Sequence, residues 1–298
     1  MIESHRDILR SLSAAEKREL TRLSNGAGFA HLAGHIAIIL MFVGLNVVLD
    51  GGWRMVAMIG QGIAMVFLFT AMHECSHRTA FRTRWINDVV GTVIGFVLFL
   101  LPKWFFYFHQ EHHKFTQDPQ RDPELASPKP DCFLGYLLHL SGMRVWRDHF
   151  VTLVKIAVGK QSDDYVPKSK RAIVRREAII FLGLYAISLP LFWQMGMLLQ
   201  YWLIPLVLGQ PFLRLYLLAE HAGCDHSVNM LVNTRTIITS PIVRFLAWNM
   251  PYHSEHHSFV AVPFHRLPQF HRYLHGHHGV LSAGYRSFHR EFLDDVIR

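Results

Sequence analysis

The sequence predicts an all-α polytopic membrane protein with four transmembrane helices and a cytoplasmic helical cap that holds a histidine-rich dimetal site. Hydrophobic residues make up 51% of the 298-residue chain, charged residues make up only 17%, and the mean hydropathy is +0.19. The apolar residues gather in long runs, and the 21 histidines recur in clusters beside those runs. Long apolar runs with few charges are typical of membrane-spanning helices and not of a soluble domain.

Four apolar runs are each long enough to cross a hydrocarbon core of about 30 Å, which needs about 20 helical residues. These runs are residues 28–49, 53–72, 178–199 and 201–219. A fifth run, 86–102, is shorter and begins with polar residues. We expect no cleavable signal peptide, because the first 25 residues are polar and basic and lack an apolar core.

The chain is interpreted as one domain, 1–298, with a cytoplasmic N-terminal segment of about 1–25 and a C-terminal tail of about 272–298. Its net charge is +8, and the two short turns at 50–52 and 194–200 contain no lysine or arginine. Because basic residues favour the cytoplasmic side, both termini and the long segment 73–177 are predicted to lie in the cytoplasm. The charge therefore indicates topology and lipid contact, and no nucleic acid partner is expected.

Histidines carry the strongest chemical signal in this sequence. Three clusters have the spacings H-x-x-x-H, H-x-x-H-H and H-x-x-H-H. They consist of His73 and His77, then His109, His112 and His113, then His253, His256 and His257. On a helix, positions i, i+3 and i+4 lie on one face, and neutral imidazole binds iron, copper, nickel and zinc. A single cluster could be a solvated helix face, but these histidines are too many for one ion and predict two metals.

The order of the clusters constrains the fifth apolar run. The first cluster follows the second span directly, and the second cluster follows 86–102. If 86–102 crossed the bilayer, the two clusters would be separated by about 30 Å. We therefore predict that 86–102 is re-entrant or interfacial, so that all three clusters meet at the cytoplasmic side.

Residues 73–77 also match H-E-x-x-H, the signature of zinc metalloproteases, in which the glutamate is the general base. An intramembrane protease would need a further aspartate ligand, and the candidate in this chain is Asp50. Asp50 lies at the opposite end of the second predicted span, about 35 Å from His73 at 1.5 Å per residue. The protease interpretation is therefore rejected, and Glu74 is expected to serve the metal site in another way.

The histidine pattern resembles that of the membrane fatty acid desaturase superfamily, which includes acyl desaturases, alkane and acyl hydroxylases, carotenoid ketolases and 1-alkene-forming fatty acid decarboxylases. The resemblance extends from about residue 60 to about residue 272. It is strongest in "HECSHRTAF" (73–81), "FHQEHHKFTQDPQRDPE" (108–124) and "NMPYHSEHHSFVAVPFHRLPQFH" (249–271).

The resemblance implies two iron ions and a ninth histidine ligand, His221 in "LLAEHAGC". Animal acyl-CoA desaturases carry an asparagine four residues before that histidine, where this chain has Leu217, so the coordination of one metal is left open. Carboxylates commonly orient metal-bound imidazoles through the nitrogen that does not bind metal. The candidates for this role are Glu74, Glu111, Asp118, Asp122, Glu220 and Glu255. Arg235, in a segment resembling one found in bacterial relatives, is a candidate contact for the substrate head group.

By resemblance, the protein is expected to use O2 to abstract hydrogen from an unactivated C–H bond of a fatty acyl or similar lipid chain. A desaturase is favoured, and a hydroxylase or a 1-alkene-forming decarboxylase is the alternative. A non-enzymatic metal-binding or transport protein is the remote alternative, but a transporter places its ligands near the bilayer midplane. The expected partners are membrane lipids and a separate electron donor of the ferredoxin, rubredoxin or cytochrome type with its reductase. The expected location is a bacterial inner membrane with the active site in the cytoplasm.

Overall fold

The computed structural model describes residues 4–297 and is 72% helical with almost no sheet. The helices in chain order are α1 (His5–Ser11), α2 (Ala14–Leu20), α3 (Asn25–Val48), α4 (Gly51–His77), α5 (Arg84–Val97), α6 (Pro102–Phe115), α7 (Phe133–Leu140), α8 (Met143–Ala157), α9 (Arg171–Gln194), α10 (Ile204–His221), α11 (Met230–Asn233), α12 (Pro241–Leu246), α13 (His253–Ser258), α14 (Leu267–Leu274) and α15 (Tyr285–Ile297). Two short parallel strands, β1 (Thr236–Ile237) and β2 (Leu281–Ser282), pair Thr236 with Leu281. The predicted all-helical class is confirmed.

Helix α4 is the centre of the molecule, and α3, α5 and α10 pack around it. Its closest crossing is with α10, where a Cβ atom added at Gly62 would lie 1.9 Å from the carbonyl oxygen of Pro205. A Cβ atom added at Gly209 would lie 2.3 Å from the carbonyl oxygen of Gly62. The two backbones touch because both positions lack a side chain, as is common where helices associate in membranes.

Three helical stretches within residues 4–297 are long and apolar enough to cross a membrane, namely Ala14–Val48, Gly51–His77 and Leu199–His221. They contain the first, second and fourth predicted spans. The third predicted run, 178–199, begins inside α9 and continues past its end. A fourth span is reached if the bent pair Arg84–Val97 and Pro102–Phe115 is counted as one. The chain is thus a membrane protein, and the specific set of four spans stays a prediction.

Helices α5 and α6 meet at an angle of 104° instead of forming one straight rod. The turn between them is tight, because a Cβ atom added at Gly95 would lie 2.6 Å from the carbonyl oxygen of Leu100. After this turn α6 returns to the end of α4, where Nε2 of His109 lies 2.8 Å from Nε2 of His77. Residues 84–115 therefore leave and re-approach the same end of α4.

The outer surface of the helices is apolar, as expected for contact with lipid. Four large apolar side chains along one face of α9 are exposed, namely Ile180, Leu184, Ile187 and Leu191. Trp53 at the start of α4 is 73% exposed. Soluble monomers rarely expose continuous apolar faces of this kind, and such faces mark membrane or protein contacts.

The C-terminal residues after α13 fold back over the histidine-bearing part of the chain. Helix α14 packs on α13, and α15 contacts α7 and α10. Phe288 of α15 is buried, and Tyr136 Oη lies 3.1 Å from Nδ1 of His289. The predicted tail, 272–298, is therefore packed against the rest of the chain over the residues that the structure describes.

Candidate metal centre

The nine histidines predicted as metal ligands converge at one end of the helical bundle. Helices α4 and α10 deliver theirs at their last turns, α6 presents three from one face, and the short helix α13 presents three more. The converging side chains are His73, His77, His109, His112, His113, His221, His253, His256 and His257. Pro102 occupies the first turn of α6, where a missing N–H costs nothing, so the helix starts where it can direct its i, i+3 and i+4 imidazoles together.

The first group contains five imidazoles, whose potential ligand atoms all lie within 4.8 Å of one another. The group is His73, His77, His109, His113 and His256. Nε2 of His109 lies 2.8 Å from Nε2 of His77 and 2.9 Å from Nε2 of His113. Metal–nitrogen bonds of about 2.0–2.1 Å place neighbouring ligand nitrogens about 3 Å apart. The spacing of this group therefore fits one metal ion at its centre.

The second group contains three imidazoles, His112, His221 and His257, again within 4.8 Å of one another. A fourth imidazole adjoins it, because Nε2 of His253 lies 2.9 Å from Nε2 of His221. The ring centroids of His113 and His257, one from each group, are 4.0 Å apart. The two groups are therefore neighbours and share one buried region.

The donor set fits metal ions better than it fits a hydrogen-bonded core. Nε2 of His257 is buried without a hydrogen-bond partner, whereas its Nδ1 lies 3.1 Å from the Thr116 hydroxyl. Burial, followed by the neighbouring imidazoles, holds the pKa values of His253, His256 and His257 well below the ordinary histidine value. These imidazoles are therefore neutral at pH 7, which is the form that donates a lone pair to a metal.

Three of the predicted carboxylates lie beside imidazole nitrogens. Asp122 Oδ1 lies 3.0 Å from Nδ1 of His112, within hydrogen-bond distance. Glu220 Oε1 lies 3.4 Å from Nδ1 of His253, and Glu74 Oε1 lies 3.9 Å from Nδ1 of His256. Within the described residues, Asp122 is the one carboxylate of these three that makes a hydrogen bond with an imidazole.

Within the described residues, the other three predicted carboxylates make no hydrogen bond or ion pair with the imidazoles of the two groups. Asp118 pairs with Arg121 at 2.7 Å on the surface, and Glu111 is half-buried on α6. Glu255 is fully buried, but His271 and His278 contact its Oε1 and Thr236 donates to its Oε2. Burial would raise the pKa of Glu255, but these hydrogen bonds outweigh it and hold that pKa below its ordinary value. Glu255 therefore joins α13 to the C-terminal residues.

Arg235, the predicted head-group contact, is buried beneath α10. Its Nη1 donates to the carbonyl oxygens of Ala219 and Ala222 at 2.7 and 2.8 Å. Its guanidinium also lies 4.6 Å from the ring centre of Phe288. These contacts tie the end of α10 to α15, and the head-group role stays a prediction.

Sequence reasoning missed several residues that the fold brings to the site. Glu124 Oε2 lies 3.6 Å from Nε2 of His112. The hydroxyl of Thr116 meets His257, and His271 and His278 meet Glu255. The "DPE" after the second cluster was a signal for Glu124, since it places a second carboxylate two residues after Asp122.

Comparison with known proteins agrees with the geometry. A family model described as fatty acid desaturase matches residues 51–288. The chain belongs to the fatty acid desaturase family. The resemblance inferred from the histidine spacing is thereby confirmed. Membership makes the chain an oxidoreductase with a lipid acyl substrate, and the histidine groups are a candidate metal site within that family.

Curated members of the fatty acid desaturase family are similar at low identity. An sn-1 oleoyl-lipid 12-desaturase of Arthrospira platensis is 24% identical over 266 residues, covering 76% of this chain and 73% of that protein. An enzyme of the same description from a Picosynechococcus species is 22% identical over 234 residues, covering 69% and 64%. A sphingolipid delta(4)-desaturase of Candida albicans is 23% identical over 221 residues, covering 69% and 57%. The alignments thus span less than two thirds of the last two proteins.

Proposed function

We propose that this protein is an O2-dependent diiron desaturase that converts a CH2–CH2 unit of a fatty acyl chain into a cis or trans CH=CH unit. The observation that carries the proposal is the pair of adjoining, buried imidazole groups. The reaction balances when two hydrogens leave the chain and O2, two external electrons and two protons are consumed, which yields the alkene and two molecules of water. The electrons would come from a separate ferredoxin-, rubredoxin- or cytochrome-type donor with its reductase.

Two iron ions would be held by the two histidine groups, His253 included with the second. Bound iron would supply the redox chemistry with O2 that an unactivated C–H bond requires. Two residues of the chain would keep the iron-binding imidazoles in place, because Asp122 holds the ring of His112 and Thr116 holds the ring of His257. Seven of the nine imidazoles are buried and His77 and His113 are half-buried, so the fold would limit the access of water to a reactive centre there.

A membrane setting is consistent with the position of the imidazole groups. We place residues 28–49, 53–72, 178–199 and 201–219 across the bilayer, with 86–102 re-entrant and the helical cap in the cytoplasm. The return of α6 to the end of α4 supports the re-entrant segment, because His77 and His109 could not otherwise touch. The positive-inside rule supports cytoplasmic termini, and a bacterial inner membrane is the proposed location.

A cavity with a mixed apolar and polar lining lies between α4, α5 and α6, and its lining includes Met72 and Ser76, the chain neighbours of His73 and His77, but none of the nine histidines. Its volume is about 320 Å³, and its walls include Met72 and Phe105, which adjoin ligand-bearing turns of α4 and α6. Arg78, Lys103 and Lys170 also line it. A groove with apolar walls and a few convergent charges is the usual form of a site for an amphipathic ligand. We propose that part of the acyl chain lies here.

The test is mass spectrometry of lipids and hydrocarbons from cells that express the wild-type protein, His256→Ala or His275→Ala. His275 is an exposed histidine outside both groups and serves as the matched control. Wild type and His275→Ala should both add unsaturated acyl chains, and His256→Ala should not. Hydroxylated lipid or a terminal alkene in their place would assign the alternative reaction on the same scaffold. A product that persists in His256→Ala, or the absence of any oxidised product, would overturn the proposal.

A further inference from the structure

The two imidazole groups are unequal in their number of donors. The first has five mutually close imidazoles, whereas the second has three, with His253 adjoining through His221. Iron commonly accepts mixed ligand sets of histidine and carboxylate. The second group therefore has room for an oxygen donor, which a carboxylate directed at its imidazoles would supply.

The segment after α6 directs two carboxylates at one imidazole. The Pro123–Ala126 turn is capped by Asp122, whose Oδ1 accepts from the backbone N–H of Glu124 at 2.9 Å. The same oxygen lies 3.0 Å from Nδ1 of His112. With Nδ1 occupied, Nε2 is the nitrogen of His112 that remains for a metal, and the carboxylate in front of that nitrogen belongs to Glu124.

The distance between Glu124 and His112 is that of two ligands and not that of a hydrogen bond. Glu124 Oε2 lies 3.6 Å from Nε2 of His112, which is beyond hydrogen-bond range. Two donors each about 2.1 Å from one metal and about 90–120° apart are separated by about 3.0–3.6 Å. The Oε2–Nε2 separation lies at the upper end of that interval.

The other carboxylate oxygen of Glu124 is already engaged. Lys129 Nζ lies 2.5 Å from Oε1, which leaves Oε2 facing the imidazole. By contrast, Glu220 and Asp122 lie beside Nδ1 atoms, so neither faces the Nε2 of a ligand. Glu124 thus has one oxygen fixed by a cation and the other directed toward the second group.

We infer that Glu124 is a carboxylate ligand of the second metal ion, alongside His112, His221 and His257. The inference rests on the proposed diiron function. An anionic oxygen makes the second ion less positive than the first, which has only neutral imidazoles around it. The two ions would then have distinguishable electronic environments, which gives the inference a readout that is independent of turnover.

The experiment measures iron per chain by mass spectrometry, and Mössbauer spectra after loading with ⁵⁷Fe, in purified full-length protein. The variants are Glu124→Gln, which preserves side-chain volume, Glu124→Ala, Lys129→Gln, and Glu111→Gln as a matched control on α6. Wild type should hold two irons with two distinct doublets. Both Glu124 variants should lose the second iron to a chelator 10–100-fold more readily, the range typical when support of a metal site is removed. Glu111→Gln should retain both ions as wild type does, and Lys129→Gln, which frees Oε1 but keeps the carboxylate, should lose the second iron less readily than either Glu124 variant.

Each other outcome has a defined meaning. If wild type binds no iron, both the proposed diiron function and the assignment of Glu124 as a ligand are wrong. If wild type holds two irons and Glu124→Gln keeps the same affinity and spectrum, only the inference fails. If Lys129→Gln loses the second iron as readily as Glu124→Gln, Glu124 acts through its ion pair, and the ligand assignment is wrong. Should Glu124→Ala aggregate, the monodisperse Glu124→Gln protein decides.

Discussion

Asp122 holds the His112 imidazole from the side opposite the proposed metal, so Asp122→Asn tests how far that support determines metal affinity. The side chain is buried, and its two oxygens accept three hydrogen bonds. Oδ1 accepts from Nδ1 of His112 at 3.0 Å and from the backbone N–H of Glu124 at 2.9 Å, and Oδ2 accepts from the backbone N–H of Gln117 at 2.8 Å. Asparagine keeps the shape of this side chain but replaces one acceptor oxygen with a donor.

The expected loss of metal affinity in Asp122→Asn follows from those three hydrogen bonds. If the amide nitrogen takes the Oδ2 position, it faces the N–H of Gln117, and a buried donor is left without an acceptor, which costs about 1–3 kcal/mol. The loss of negative charge also removes the group that makes the His112 imidazole a stronger donor. Removing such partners lowers metal affinity about 10–100-fold, equivalent to about 1.4–2.7 kcal/mol. We expect a loss in this range for Asp122→Asn.

The assay is the iron retained by purified protein across a series of chelator concentrations. Asp118→Asn is the matched control, because it makes the same chemical change four residues earlier on a side chain that pairs with Arg121 at the surface. The control should behave as wild type. Equal iron retention by Asp122→Asn and Asp118→Asn would refute the reasoning, since it would show that support of His112 does not contribute to binding.

Three further outcomes are expected. Gly62→Ala should destabilise the fold by about 1–3 kcal/mol through overpacking against α10, which a lower thermal midpoint would show. Gly183→Ala, which has open space around it, should not lower the midpoint. Equal midpoints for the two variants would contradict the close crossing of α4 and α10. Glu255→Gln should leave buried histidine nitrogens without their anionic acceptor and make the C-terminal residues more sensitive to protease, and unchanged cleavage would count against this anchor. Chelator should lower the wild-type midpoint, because a ligand at 1,000 times its Kd stabilises by about 4 kcal/mol; an unaffected midpoint would argue against a bound metal.

Much of the fold class could be read from local patterns. The length of an apolar run and the 3.6-residue period of a helix are local properties, so the spans in α3, α4 and α10 and the facing histidines of α6 were visible in the sequence. The same local reading predicted that residues 86–102 do not cross the bilayer, since two histidine clusters flanking a crossing helix could not meet. The family resemblance rested on the same spacings.

The chemistry around the histidines was decided by tertiary packing. The division into a group of five and a group of three depends on how the ends of α4, α6, α10 and α13 cross, which no spacing within one helix determines. Six carboxylates were equally plausible partners in the sequence, yet only the turn after α6 placed Asp122 against one nitrogen of His112 and Glu124 in front of the other.

Tertiary packing also decided the partners of two residues that are far from those partners in the chain. Glu255 lies between ligand histidines on α13, but the return of α14 and the C-terminal residues gave it His271 and His278 as partners. Arg235 is a candidate substrate contact in the sequence, and the fold adds carbonyl oxygens at the end of α10 as partners for its guanidinium. Helix formation and membrane insertion depend on near neighbours in the chain, so the sequence alone determined them. Which charged group meets which imidazole depends on loop closure and on long-range packing, so only the tertiary structure decided it.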